Sequence, residues 1–228
     1  MSKSRDEVYK EKWDHRYSET NYAYGKAPNL FFKEWLLHYE PGSILMPADG
    51  EGRNGVFAAE MGWDVTCFDL SEKGKRKALQ LAGERGVTLK YDVGDLEELS
   101  YEQGAFDVIA LIYAHFSAEK KSWYHERLSQ FLKPGGIFIL EAFSKKHLNY
   151  VKANPDVGGA MDFDMLYSKD EIRVDFENYK PLLLTEQEVD LNEGKYHLGQ
   201  SSVIRFVGKK EIPNHIQLRS STTLNNPR

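Results

Sequence analysis

The residues Asp49-Gly50-Glu51-Gly52-Arg53-Asn54-Gly55 hold three glycines at the G-x-G-x-x-G spacing, with two carboxylates and one guanidinium among them. By itself this spacing describes only a tight strand-to-helix turn. Its context adds more. The turn follows a short apolar run and opens a helical stretch, and Asp69 stands 19 residues beyond Gly50 at the end of the next apolar run. An acidic residue there can accept from both hydroxyls of a ribose, so a nucleoside-containing ligand is expected.

Charge selects among such ligands. Asp49 and Glu51 bracket Gly50, and Asp69, Asp92 and Asp95 follow at the next two strand ends. One carboxylate about 6 Å from a phosphate opposes it by roughly 3 kcal/mol at an effective dielectric of about 20. Several such terms outweigh the roughly 0.3–1 kcal/mol that a helix N-terminus offers an anion. S-adenosylmethionine carries a sulfonium and an ammonium and no phosphate, and an acidic pocket suits it. Arg53 could offset part of the repulsion, which leaves a nicotinamide dinucleotide, and with it an oxidoreductase, as the alternative. A catalytically idle module that only binds an adenosyl ligand is the third reading.

Other residue types offer less. His115 follows an apolar run ending near Ile112 and is a candidate site residue, with a structural loop histidine as the plain alternative. His15, His38, His125, His147 and His215 read as solvated or helix-surface residues. No pair of histidines has metal-ligand spacing, so no metal site is expected. The single Cys67 lies in an apolar run and reads as a small buried hydrophobe. No catalytic triad is visible. Methyl transfer does not demand one, because its main requirement is to hold the acceptor in line with the methyl–sulfur bond.

The elements that must position these residues alternate. Helix is expected over 5–17 and again after the cap Asn29 until Pro41-Gly42. Strands are expected at 43–47, 64–68, 87–91, 105–112 and 137–143, with helices at 53–61, 71–84 (stopped by Gly86) and 117–132 between them. Trp123, Leu128, Phe131 and Leu132 are candidates for the inner face of that last helix. Such βα alternation argues a parallel, doubly wound sheet. The stretch 144–167 has no clear period and is long for a connector, as lids and binding loops are. Met161, Phe163, Met165 and Tyr167 alternate within it, which suits either an apolar lid or a short strand. Ser168 and Glu171 make a capping box for a helix reaching about Glu177, and 182–191 with 201–207 read as an antiparallel hairpin.

A chain of 228 residues, 41% hydrophobic and 29% charged with a net charge of -5, describes one globular α/β domain rather than a disordered or fibrous chain. Its cations and anions are interleaved, so it offers no basic stripe for nucleic acid. The opening MSKSRDEVYKEKWD lacks a signal-peptide core and no stretch approaches about 18 apolar residues, so a cytoplasmic, non-membrane protein is expected.

Taken in order, GEGRN, CFDLS, VGDL, AFDVIALIYAHF and LKPGGIFILEAF resemble the class I S-adenosylmethionine-dependent methyltransferases, most of all the bacterial branch related to the tellurite-resistance methyltransferases. YGKAPN (24–29) and EGKYHLG (193–199) sharpen the likeness, which runs from about Trp13 to Lys209. The resemblance implies an α/β fold with a mostly parallel, seven-stranded Rossmann-like sheet and a C-terminal antiparallel hairpin. It implies a helical cap over 1–42, a methyltransferase domain over 43–210 with a lid at 144–167, and a mobile tail at 211–228. For the cofactor, it implies that Gly50 and Gly52 admit the backbone, Asp69 holds the ribose with Leu70 and Ser71 flanking, and Gly94, Asp95 and Leu96 meet adenine. Ile112 and Tyr113 would line the methionine arm, Asn54 would stand in the turn, and Tyr24, Gly25 and Asn29 would close the pocket. His197 resembles a site-facing histidine of the tellurite-resistance relatives, although Leu198 replaces the positive residue that follows it there. Met46 and Ala48 stand where the family usually has an acid and a glycine, so either Asp49 or Glu51 takes the acid's role or the ammonium is held differently. The implied activity is methyl transfer to a small molecule, a thiol or a chalcogen or metalloid species.

Overall fold

The computed structural model describes residues 5–212, so the expected tail lies outside the described residues from 213 onward. Seven strands form one sheet in the order β3-β2-β1-β4-β5-β7-β6. They are β1 (Ser43–Pro47), β2 (Asp64–Asp69), β3 (Lys90–Val93), β4 (Phe106–Ile112), β5 (Leu132–Phe143), β6 (Tyr179–Asn192) and β7 (Leu198–Lys210). The first five pair in parallel. β7 runs antiparallel to both β5 and β6, so the expected hairpin forms the far edge. Helices α1 (Arg5–Arg16), α2 (Leu30–Leu36), α3 (Arg53–Glu60), α4 (Glu72–Arg85), α5 (Ala118–Phe131), α6 (His147–Ala153) and α7 (Lys169–Asp175) complete the chain.

Local chemistry sets most boundaries. Asn29 caps α2 by accepting from the Phe32 amide, and Ser71 caps α4 by accepting from Gly74. Gly86 ends α4 with φ 69°, and the Val87 amide returns to the Ala82 carbonyl at 3.0 Å. That exit consumes residues 87–89, and so β3 starts at Lys90 rather than at the expected Val87. Ser168 caps α7 as expected, the Glu171 amide donating to Ser168 Oγ, while the Glu171 carboxylate accepts from the Ser168 hydroxyl rather than from the Ser168 amide of a full capping box.

Other expectations shift. Trp123 is 42% exposed, because Tyr124, Leu128 and Phe131 share the buried face of α5 at the i, i+4, i+7 spacing. The 144–167 stretch folds into α6 and two 3₁₀ turns; Met161 and Phe163 are exposed, and no strand forms there. The sheet buries a core on each face, one around Ile109, Leu111, Phe138 and Leu140, the other around Ile44, Met46, Val108 and Ile139. Between β1 and β4 the strand order reverses. Ligands of open parallel sheets bind outside the carboxyl ends of the strands at such a switch point.

Candidate functional site

A cavity of about 610 Å³ opens there, lined by Ala48 and Asp49 after β1, Phe68 to Leu70 at β2, Gly94 to Leu96 after β3, and Ile112 to Ser117 after β4. This lies within the roughly 300–1,000 Å³ of small-molecule sites. Helix α1 closes one side with Tyr9, Lys12, Trp13 and Arg16, and Tyr17 follows it. Three contacts dock α1: Tyr9 donates to the His115 carbonyl at 3.1 Å, Asp14 accepts from Ser71 Oγ at 2.5 Å, and Trp13 stacks on Tyr17.

The acidic turn divides its labour. Glu51 is buried, pairs with Lys77 and accepts from the Ala23 amide at 2.6 Å. It also lines the cavity, with its charge already met by Lys77. Asp49 differs. Its Oδ2 accepts from the Gly55 amide at 3.1 Å and from Cys67 Sγ at 3.3 Å, while its buried Oδ1 has no partner. Burial, reinforced by Asp69, pushes its carboxyl up to about 7. Asp69 ends β2, where burial raises it to about 6 against the amides of Ser71 and Gly50, which donate to it at 2.9 and 3.1 Å. A cationic ligand beside these two carboxylates would favour their ionised forms.

The glycines serve the scaffold rather than the cavity. A Cβ on Gly50 (φ 57°) would lie 2.5 Å from the Tyr17 hydroxyl, and one on Gly52 (φ 84°) 2.5 Å from Ala78 Cβ. Neither is among the residues that line the cavity. Ser71, fully buried, caps α4; Asn29 caps α2 and donates to Glu141 at 2.7 Å and Glu193 at 3.1 Å. These two residues hold walls in place instead of facing the cavity. Asn54 both lines the cavity and accepts from the Asn29 amide at 2.9 Å. Asp95 lines it too, with Oδ1 accepting from Tyr124 and from the Glu97 amide. Tyr24, Gly25, Leu70, Gly94, Leu96, Ile112 and Tyr113 all reach the cavity wall.

Two residues there carry left-handed backbone, Ala48 at φ 52° and Tyr113 at φ 53°. Ala48 thus occupies the conformation in which a glycine is at home. Met46 is 1% exposed in the α2–α3 core and cannot face a ligand.

The histidines separate clearly. His197 Nδ1 lies 3.1 Å from Glu193 Oε2, which also accepts from Arg53 Nη2 at 2.8 Å. Burial opposes ionisation of Glu193, but the His197 and Arg53 hydrogen bonds outweigh it and bring its carboxyl down to about 2. Ionised, Glu193 only accepts, so His197 Nδ1 carries the proton. Burial lowers His197 despite Glu193, which keeps the ring neutral near pH 7. Its Nε2 has no partner among the described residues. The ring lines the cavity between Tyr24 at 4.5 Å and Tyr113 at 4.7 Å, centroid to centroid. His115 has Nδ1 3.1 Å from the Tyr113 carbonyl, while Nε2 accepts from the Phe143 amide at 3.2 Å. Both nitrogens are engaged and burial lowers the ring to about 3. His115 lines the cavity with both ring nitrogens engaged by backbone groups, an arrangement that braces the wall.

His125 and His147 are fully buried rather than solvated. His125 pairs with Asp175 at 2.6 Å and His147 bridges Ser201 Oγ and the Gly158 carbonyl at 2.8 and 2.9 Å. His15 and His38 are exposed as expected, and His215 lies outside the described residues. The α1 residues and Glu193 were missed as site residues; Tyr9, Trp13 and Tyr17 recur at helical spacing, and that period was their signal.

Residues 44–136 match a family described as a methyltransferase domain. Over 103 residues the chain is 28% identical to the 2-methyl-6-phytyl-1,4-hydroquinone methyltransferase of a Synechocystis species, 45% of this chain and 32% of that one. The chain matches less than half the length of its curated relatives. Among solved structures, one concerning the conversion of a disulfide bond into a thioacetal group during echinomycin biosynthesis superposes with a TM-score of 0.74 at 16% identity, covering 96% of this chain and 99% of that one. TehB from Haemophilus influenzae superposes with 0.66 at 14% identity, covering 89% and 67%. At these identities the structural likeness is one of fold.

Proposed function

We propose that this chain, whose fold is that of the class I S-adenosylmethionine-dependent methyltransferase superfamily, transfers a methyl group from S-adenosylmethionine to a small-molecule acceptor. The observation that carries the reading is Asp49, which lines the cavity and whose buried Oδ1 has no hydrogen-bond partner among the described residues. A buried carboxylate oxygen without a donor is costly unless a ligand supplies one. The two cations nearest the turn, Arg53 and Lys77 of α4, are already paired with Glu193 and Glu51, so neither is left to meet a phosphate beside Asp49 and Asp69. Both facts favour a phosphate-free cation over a dinucleotide.

When bound, S-adenosylmethionine supplies a methyl carbon already activated by its sulfonium. In this reading Asp49 accepts from the ammonium, Asp69 from the ribose hydroxyls, and Leu96 with Phe68 flanks the adenine beside Asp95. Tyr24, Tyr113 and His197 then face the acceptor. Glu193 fixes the Nδ1–H tautomer of His197, leaving the Nε2 lone pair to take a proton from an acceptor such as a thiol or a phenol, worth roughly 10²–10⁴-fold. Met161 and Met165 at the cavity edge suit an acceptor with an apolar body, and soft chalcogen species belong to the same class.

Calorimetric titration with S-adenosylhomocysteine, NAD and NADP, followed by a radiolabelled methyl-transfer screen over thiols, phenols, selenite and tellurite, tests the proposal. Micromolar affinity for S-adenosylhomocysteine with no response to either dinucleotide is expected. Binding of NAD at this cavity overturns it, and tight adenosyl binding with no turnover on any acceptor would favour an idle binding module.

A further inference from the structure

We infer that Arg16 is the specificity-determining residue for a negatively charged group on the methyl acceptor, an inference that rests on the methyltransferase reading of the cavity. Arg16 ends α1, is half-buried and lines the cavity. Its Nη1 donates to the Tyr24 hydroxyl at 3.0 Å, and its guanidinium lies 3.7 Å from the Tyr196 ring centroid and 5.9 Å from that of Trp13. The fork is therefore fixed in place by a hydroxyl and two rings. Yet no carboxylate among the described residues pairs with it. The other arginine of the cavity, Arg53, is matched by Glu193 at 2.8 Å. Glu19, three residues beyond Arg16, is taken by Lys195 at 3.0 Å and by the Tyr196 hydroxyl.

A guanidinium has five N–H donors, and the Tyr24 hydroxyl uses one. Holding this group against aromatic faces without an ion pair, with Glu19 acting on it only at longer range, leaves a ready receptor for a carboxylate or oxyanion. Its location says which molecule brings the anion. Tyr24, which Arg16 contacts, packs on His197, so the free donors lie one side chain from the ring assigned to the acceptor. The cofactor's side, around Asp49, Asp69 and Asp95, is acidic. Lys12, one turn earlier on the same face of α1, lies 5.6 Å over the Tyr9 and Trp13 rings and has no ion-pair partner among the described residues. Although the middle of α1 docks beside Asp69 through Asp14 and Ser71, Arg16 at its end meets Tyr24, so an acceptor whose anion meets Arg16 presents its nucleophile to His197.

The test is calorimetric binding of a matched pair, 4-mercaptobenzoate and 4-mercaptobenzyl alcohol, to the full chain with and without S-adenosylhomocysteine. Wild type should bind the carboxylate at least about tenfold more tightly, as a charge-assisted hydrogen bond allows. R16Q should abolish the preference, and R16K should keep only part of it. S-adenosylhomocysteine affinity should change less than about threefold in either variant. The inference is overturned if wild type shows no preference, or if R16Q keeps it. It is also overturned if R16Q weakens S-adenosylhomocysteine but not 5′-methylthioadenosine, since that assigns the guanidinium to the cofactor's own carboxylate. A chain that prefers the carboxylate but binds no S-adenosylhomocysteine retains this inference and loses the methyltransferase reading.

Discussion

Replacing Asp49 with asparagine should stabilise the unliganded protein and cripple cofactor binding, with a pH dependence that identifies the cause. Burial raises the Asp49 carboxyl from 3.8 to about 7. Because the folded value is the higher one, its contribution to stability is whole below pH 3.8 and is lost as pH rises through 7. At about 1.36 kcal/mol per unit the full loss approaches about 4 kcal/mol, of which roughly 2–3 kcal/mol falls between about pH 5 and 8. The substituted asparagine would still accept from the Gly55 amide but would have nothing to ionise. The Tm of Asp49→Asn minus that of wild type should therefore increase from pH 5 to pH 8, by roughly 5–10 °C for a domain of this size. Asp69, also raised, titrates in both proteins and largely cancels in the difference. Thermal denaturation at several pH values, in low salt and without cofactor, measures it. S-adenosylhomocysteine titrations on the same samples should show wild-type affinity falling as pH drops below 7, and the variant tenfold or more weaker at pH 8 with a flatter profile. A Tm difference that does not move with pH refutes the burial argument. Undiminished affinity in the variant refutes the ligand contact.

His197→Ala should leave S-adenosylhomocysteine affinity within about threefold while lowering turnover of a thiol or phenol by roughly 10²–10⁴-fold; a fall in cofactor affinity instead would place the ring on the wrong side of the cavity. Asp69→Ala removes the acceptor of both the Gly50 and Ser71 amides, so cofactor affinity should drop more than about tenfold in calorimetry. Ala48→Gly releases a left-handed alanine, worth roughly 1–2 kcal/mol, against the roughly 0.5–1 kcal/mol entropic cost of glycine. The urea midpoint should therefore rise slightly, and a lowered midpoint would show that the alanine methyl contributes packing that outweighs its strain.

Much of the scaffold was legible in the chain. Asn29, Ser71, Ser168 and Gly86 act on backbone groups within a few residues, and the apolar run of β4 declares a strand covered on both faces. The placement of Asp49 and Asp69 at adjoining strand ends likewise follows from counting along βα units. What the acids and histidines do could not be read so. Glu51 is silenced by Lys77, 26 positions away, and Asn29 reaches Glu193 across 164. His115 loses both nitrogens to backbone groups, one of them on β5, and His125 and His147 are drawn into the interior. Local sequence determines helix caps, turns and strand periods because those interactions are short in range. Whether a carboxylate is free, paired or protonated depends on desolvation and on partners that only packing brings within hydrogen-bond distance. For that reason the closure of α1 over the cavity, the isolated Asp49 oxygen and the guanidinium of Arg16 without an ion pair belong to the tertiary structure alone.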